Sequence, residues 1–161
     1  MIITVIGKRG KGKTTLVKQL IQESSAQKVY ILDYLGEYGN LESEKVYIGR
    51  GGLYEFCEKV WNESDPSYES LAVFDEVDLY SRDDPHLGFM YRYSRHKAVS
   101  LVAVSRRFYD LPTIVRALTD EFIFFQITEE RDLQYLRRLV SQEYLNTLMN
   151  LPTFSYIRLE L

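Results

Sequence analysis

Apolar positions along the chain switch between two periods. Ile2–Ile6 is a short β-branched run closed by Gly7, which predicts a buried strand. Residues 13–22 follow with Leu16, Val17, Leu20 and Ile21 at helical spacing, so strand, glycine loop and helix come in that order. Residues 29–32 predict a second strand ending at Asp33, 34–39 a loop, and 46–48 a short extra strand. Past Gly51 and Gly52, Leu53, Phe56, Cys57, Val60 and Trp61 recur at helical spacing, and 62–70 reads as a polar connection through Pro66.

The third strand is 71–74, closed by Asp75 and Glu76. A helix over 86–97, a strand over 100–104, a short helix over 111–118 and a strand over 122–127 follow. Helices over 129–140 and 142–149 precede a last strand over 154–159, expected at a sheet edge. Strands alternating with helical segments predict an α/β fold with a mostly parallel sheet covered on both faces. No internal repeat or low-complexity segment interrupts the pattern.

Composition narrows this to one folded unit. The chain has 161 residues, 45% hydrophobic and 27% charged, so a single domain over 1–161 is expected. A chain of this length buries roughly 70% of its unfolded surface and needs no covalent staple. Its single cysteine, Cys57, cannot form an intramolecular disulfide and is expected as a buried small hydrophobe. No apolar run approaches the roughly 18 residues of a bilayer span, and no basic stretch precedes the first apolar segment, so a cytoplasmic protein without membrane contact is expected. His86 and His96 lack partners at metal-ligand spacing, which argues against zinc.

The formal charge of −3 conceals segregation. Residues 1–22 carry +5, residues 23–90 carry −10 and residues 91–161 carry +2. In the last segment Arg92, Arg95, Lys97, Arg106, Arg107 and Arg116 have only Asp110 nearby in sequence. A net acidic chain does not coat nucleic acid with its whole surface, but a local basic strip can contact phosphate.

The chemistry concentrates in Gly7-Lys8-Arg9-Gly10-Lys11-Gly12-Lys13-Thr14, which fits glycine, four residues, glycine, lysine, serine or threonine. Successive backbone N–H groups must curl around the β- and γ-phosphates, and glycines permit that backbone. Lys13 is expected to reach the β- and γ-phosphates, Thr14 to ligate Mg²⁺ and Thr15 to bond the α-phosphate, with the helix N-terminus adding its positive dipole. The motif follows a buried strand and precedes an amphipathic helix, as its mechanism requires, so nucleoside triphosphate binding is the direct implication.

Asp75-Glu76 selects the branch. An Asp at the end of a buried strand holds Mg²⁺ opposite Thr14 in phosphate-loop enzymes. Glu76, one residue on, is placed to take a proton from water attacking the γ-phosphate. The strand at 29–32 lies between the glycine loop and this pair, the order of the additional-strand branch. The expected fold is therefore a three-layer P-loop NTPase of the RecA-like, additional-strand type, and hydrolysis is the preferred reaction.

At this point the residues resemble the HerA/FtsK superfamily of DNA-pumping ATPases, with viral and phage packaging ATPases the most similar branch. Ile31-Leu32-Asp33-Tyr34-Leu35-Gly36-Glu37-Tyr38 looks like the family's strand followed by Asp, two residues, Gly-Glu-Tyr. Arg95-His96 looks like a pair carried by packaging ATPases, and Val104-Ser105-Arg106-Arg107 with Leu111-Pro112 and Ile114-Val115-Arg116 is similar to the family's Ser-Gln-Arg sensor turn and following helix. The sensor glutamine is replaced by Arg106, so the resemblance leaves Ser105 or Arg106 to sense the γ-phosphate. It implies ATP and Mg²⁺ as cofactors, double-stranded DNA as cargo and a homo-oligomeric ring, usually a hexamer. It also implies an arginine supplied in trans; Arg92, Arg95, Arg107 and Arg116 are candidates, with Arg107 preferred as catalytic beside Glu76 and Lys13. Tyr34, Tyr38 and Tyr109, placed in loops, are the tyrosines to consider for base stacking. Two other readings use the same motifs: a small-molecule or nucleotide kinase with Arg92, Arg106, Arg107 and Arg116 clamping phosphates, and a non-catalytic ATP-dependent assembly switch.

Overall fold

The structure, a computed structural model, describes residues 1–160; Leu161, the last residue of the expected 1–161 domain, lies outside the described residues. Strands β1 (Ile2–Ile6), β2 (Lys28–Leu32), β3 (Val46–Gly49), β4 (Ser70–Phe74), β5 (Val99–Ser105), β6 (Glu121–Phe125) and β7 (Tyr156–Glu160) form one sheet in the order β3-β2-β4-β5-β1-β6-β7. Every neighbouring pair is parallel except β6–β7, which is antiparallel at the edge. Helices α1 (Lys13–Glu23), α2 (Leu53–Glu63), α3 (Pro85–Tyr93), α4 (Thr113–Leu118), α5 (Glu130–Leu136) and α6 (Gln142–Met149) complete the described residues' α/β three-layer arrangement.

The two faces are covered unequally. Ile3, Val5, Val29, Ile31, Val73 and Val104 meet Leu16, Val17 and Ile21 of α1, while Ile6, Tyr30, Phe74, Ala103 and Phe124 meet side chains of the other five helices. Strands buried on both faces need apolar residues at successive positions, which is why β1 and β4 read as continuous runs rather than alternating ones. β4 and β5 flank one another, and β5 lies beside β1, so the C-terminal ends of β4, β5 and β1 converge on one edge. That edge is where crossover topology places ligands.

Several boundaries differ from the expected ones for identifiable reasons. The helix expected over 86–97 ends at Tyr93, and a 3-10 turn over Ser94–Lys97 carries the chain to Ala98, whose φ of 51° turns it into β5. Its start is set by Asp84, whose carboxylate accepts from the amides of His86 at 2.9 Å and Leu87 at 3.0 Å ahead of Pro85. The helix expected over 129–140 spans only Glu130–Leu136, because the chain then tightens into turns, with the Arg138 amide on the Tyr135 carbonyl at 3.2 Å and the Leu139 amide on the Leu136 carbonyl at 2.8 Å, before the extended Ser141 caps α6, accepting from the Tyr144 amide at 3.2 Å. The last strand begins at Tyr156 rather than 154, since Phe154 occupies a turn closed by the Ser155 amide on the Pro152 carbonyl. β6 stops at Phe125, the last residue paired with β7.

Cys57 is buried, and burial pushes its thiol up to about 12. No helix of the described residues is long and apolar enough to cross a membrane.

Candidate functional site

Glycines shape the loop between β1 and α1. Gly12 has φ 104°, open to glycine but strained for any L side chain. Gly7 packs against Phe125 so closely that a Cβ there would lie 2.6 Å from Phe125 Cβ. The Gly7 amide donates to the Ser105 carbonyl at 3.2 Å, fixing the loop's start to the end of β5.

One cleft at this edge is lined by Arg9, Gly10, Gly12, Lys13, Thr14, Thr15, Leu35, Glu37, Asp75, Glu76 and Phe154. Sequence-expected residues from two distant segments therefore meet in one place. Lys13 bends back so that Nζ donates to the Lys8 carbonyl at 3.1 Å, the loop's own stand-in for a phosphate oxygen. Burial lowers the Lys13 pKa, and the carboxylates of Glu76, Asp75, Asp78 and Glu37 partly offset this. An anion in the loop would meet an ammonium already held at the cleft.

The acidic wall is under strain. Asp75 is 3% exposed and its Oδ2 has no hydrogen-bond partner among the described residues. Burial, then the neighbouring Glu76 charge, pushes its carboxyl up to about 7. Burial and Asp78 also raise Glu76, against Arg106 and Lys13, which favour its charged form. Glu76 sits at φ 52°, a left-handed conformation that costs a non-glycine residue on the order of 1–3 kcal/mol and is found where surroundings impose it, often at functional sites. An orphaned buried carboxylate oxygen facing a threonine hydroxyl across a cleft is a hard-oxygen donor pair, which fits Mg²⁺.

Asp75 also predicts a pH dependence. Its carboxyl keeps its proton to about pH 7 in the folded, metal-free protein, whereas the unfolded chain releases it near about 4. The folded state then binds more protons through that window, so this group makes stability fall as pH rises from about 4 to about 7. Thermal melts in EDTA across that range should show the fall in wild type and its loss in Asp75→Asn.

Two residues without an expected role complete the wall. Asp33, fully buried at the end of β2, accepts from the amides of Glu37 and Tyr38, each at 3.0 Å. This fold-back delivers Glu37 to Thr14, whose hydroxyl donates to Glu37 Oε2 at 2.7 Å. Glu37 thus holds the Thr14 hydroxyl in this structure. The Gly-Glu-Tyr motif was the available signal, but nothing in it specified contact with Thr14. Phe154 is the other, and lies directly beside Gly12.

Other expected residues stand elsewhere. The side chain of Lys8 turns to Thr128 at 2.9 Å and Glu129 at 3.0 Å, and that of Lys11 to Gln126 at 3.0 Å, so both offer the cleft only backbone. Ser105 is buried, and its hydroxyl donates to the Arg107 carbonyl at 2.8 Å while accepting the Arg107 amide at 3.2 Å, which commits it to a turn rather than to the cleft. Arg106 Nε lies 2.9 Å from Glu76 Oε2 and 3.4 Å from Asp78 Oδ2, in ion pairs rather than aligned hydrogen bonds. Arg107, next in the chain, has a looser contact of 3.9 Å to Glu129. Tertiary folding therefore supplies the basic cluster with acids that sequence proximity did not show.

Of the remaining arginines, Arg116 donates to the Tyr109 carbonyl at 3.2 Å and lies 4.8 Å from the Tyr135 ring, a structural position. Arg92 and Arg95 are exposed near the N-terminal end of β5, away from the loop. Tyr38 is completely buried and cannot stack on a base, and the Tyr109 ring has Arg82 at 5.2 Å and Arg131 at 5.8 Å. Tyr34 stays 40% exposed.

Strand order, glycine loop and acidic strand end together define a P-loop NTPase fold in which β5 is inserted between β1, which feeds the glycine loop, and β4, which ends in Asp75; β2, expected from chain order as the inserted strand, lies instead on the far side of β4. Solved structures carry the comparison further. The genome packaging NTPase B204 from Sulfolobus turreted icosahedral virus 2, in complex with ATP-gammaS, superposes with TM-score 0.81 at 20% identity, covering 99% of this chain and 91% of that one. The pCW3 conjugation coupling protein TcpA with ATPgS gives 0.62 at 12% identity over 81% of this chain and 50% of that chain. The N-terminal domain of zonular occludens toxin from Neisseria meningitidis gives 0.54 at 13% identity over 81% and 78%. The likeness bears out the expected fold, a mostly parallel, three-layer P-loop NTPase. No family model and no curated protein sequence matches the chain.

Proposed function

We propose that the chain is a Mg²⁺-dependent ATPase, acting as one domain and coupling hydrolysis to movement of double-stranded DNA within a homo-oligomeric ring. The observation that carries this reading is the pairing, across one cleft, of the lysine-bearing glycine loop with a buried orphan carboxylate and a strained neighbouring glutamate. The likeness to a packaging NTPase and a conjugation coupling protein supports the DNA cargo.

In this mechanism the backbone of 7–15 holds the phosphate chain, Lys13 exchanges the Lys8 carbonyl for phosphate oxygens, and Thr15 orients the α-phosphate. Thr14 and Asp75 would hold Mg²⁺, which would supply positive charge against the phosphates. Glu76 accepts the proton of the attacking water. Arg106 takes the sensing role, because the Ser105 hydroxyl is committed to its turn. A γ-phosphate competes with Glu76 for the Arg106 guanidinium, so a full cleft frees the base that an empty one restrains. Arg107 serves the neighbouring subunit's site, and the exposed Arg92 and Arg95 contribute to a strip for DNA phosphates. A hexamer is the ring size that the family resemblance implies, and the cytoplasm, of the host cell if the source is viral, is where such a motor would work.

The test is steady-state ATP hydrolysis with Mg²⁺ at rising protein concentration, with and without linear double-stranded DNA. Turnover rising faster than linearly with protein, and further with DNA, supports the ring motor. Turnover proportional to protein and indifferent to DNA overturns it.

A further inference from the structure

Phe154 departs from what its environment rewards. It is 69% exposed, yet it holds φ 67°, a conformation that bulky residues rarely adopt. Burial does not explain that backbone, since the ring is mostly in solvent. Instead the ring lies along the phosphate loop: its Cδ1 is 3.2 Å from where a Cβ on Gly12 would stand, with Phe125 packed behind the same point.

Sheet order fixes what Phe154 can meet. In the sequence β4-β5-β1-β6-β7, the glycine loop leaves β1, Asp75 and Glu76 leave β4 on one side, and Phe154 precedes β7 on the other. A nucleotide lying across the loop with its terminal phosphate toward Asp75 and Glu76 must therefore carry its nucleoside toward β6 and β7. Among the residues lining that cleft, Phe154 is the one aromatic side chain. We propose that Phe154 is the nucleobase platform of this site, its exposed ring stacking on the base of the bound nucleoside triphosphate. The assignment rests on the reading of the cleft as a triphosphate site. Stacking uses a π-face that every base has, so the platform adds affinity while discriminating weakly between ATP and GTP.

Calorimetric binding of Mg-ATP, Mg-GTP and Mg-tripolyphosphate to wild type, Phe154→Asn and Phe154→Trp separates the possibilities. Asn is the safer removal, because it tolerates the left-handed backbone and the lost ring is not part of the core. Expected for Phe154→Asn is a loss of about tenfold or more in affinity for both nucleotides, with tripolyphosphate unchanged and Trp restoring nucleotide binding. Unchanged ATP affinity in Phe154→Asn, or an equal loss for tripolyphosphate, overturns the platform. Wild type binding tripolyphosphate as tightly as ATP overturns the platform alone and leaves the phosphate cleft standing. Wild type binding neither overturns the cleft reading, and the platform with it.

Discussion

Glu76→Gln is expected to lower kcat for ATP hydrolysis by about 10² to 10⁴-fold, the range of a lost general base, with ATP affinity held within about threefold of wild type. Gln keeps the size of the side chain but cannot accept the water proton at neutral pH. Removing the charge also releases Arg106 from its 2.9 Å contact, leaving only the 3.4 Å contact to Asp78. A freed guanidinium beside the cleft favours a bound triphosphate, so any change in ATP affinity should be a tightening. Single-turnover hydrolysis alongside equilibrium binding checks both parts. A variant with wild-type turnover removes Glu76 from the chemistry; a variant with weak ATP binding makes Glu76 a structural element of the cleft instead.

What could be read from the chain alone followed from how local each signal is. β1, the glycine loop and α1 are contiguous, and each constrains the next through burial, backbone freedom and helix periodicity, so they were legible together. Asp75 and Glu76 were legible because a strand buried on both faces ends abruptly in two carboxylates. The contacts that give the cleft its present state were not. Thr14 meets Glu37 only because Asp33 folds the intervening loop back onto α1, and the motif states which residues are present without stating where they reach. Arg106 meets Glu76 because β4 and β5 are neighbours in the sheet, which chain order does not show. Lys8 and Lys11 belong to the phosphate motif by sequence, yet Gln126, Thr128 and Glu129 from the segment after β6 draw their side chains off. Phe154 read as part of a strand because apolar alternation continues through it. Its left-handed turn carries no glycine or asparagine to announce it, and neither does the turn at Ala98.

Arg107→Ala should lower turnover of the assembled protein by about 10³-fold or more, the scale of a missing arginine finger, while leaving ATP binding and assembly intact. Of the four candidate arginines it is the one that stands at the nucleotide edge without a committed role. Arg116 is spent on the Tyr109 carbonyl and the Tyr135 ring, and Arg92 and Arg95 lie toward the opposite end of the strands. Arg107 immediately follows β5, lies in a shallow groove with Lys8, Arg9 and Glu129, and is restrained only by the 3.9 Å contact to Glu129. A guanidinium so loosely held can extend to a neighbour at little enthalpic cost. Mixing distinguishes action in trans from action in cis. Equal amounts of Arg107→Ala and Glu76→Gln subunits, each inactive alone, place an intact Glu76 beside a neighbour's intact Arg107 at about one interface in four of a randomly assembled head-to-tail ring. If Arg107 acts across the interface and sites fire independently, the mixture should recover about a quarter of wild-type turnover, since each such interface is complete. If Arg107 acts on its own subunit's nucleotide, no subunit in the mixture is complete and turnover stays at the level of the separate variants.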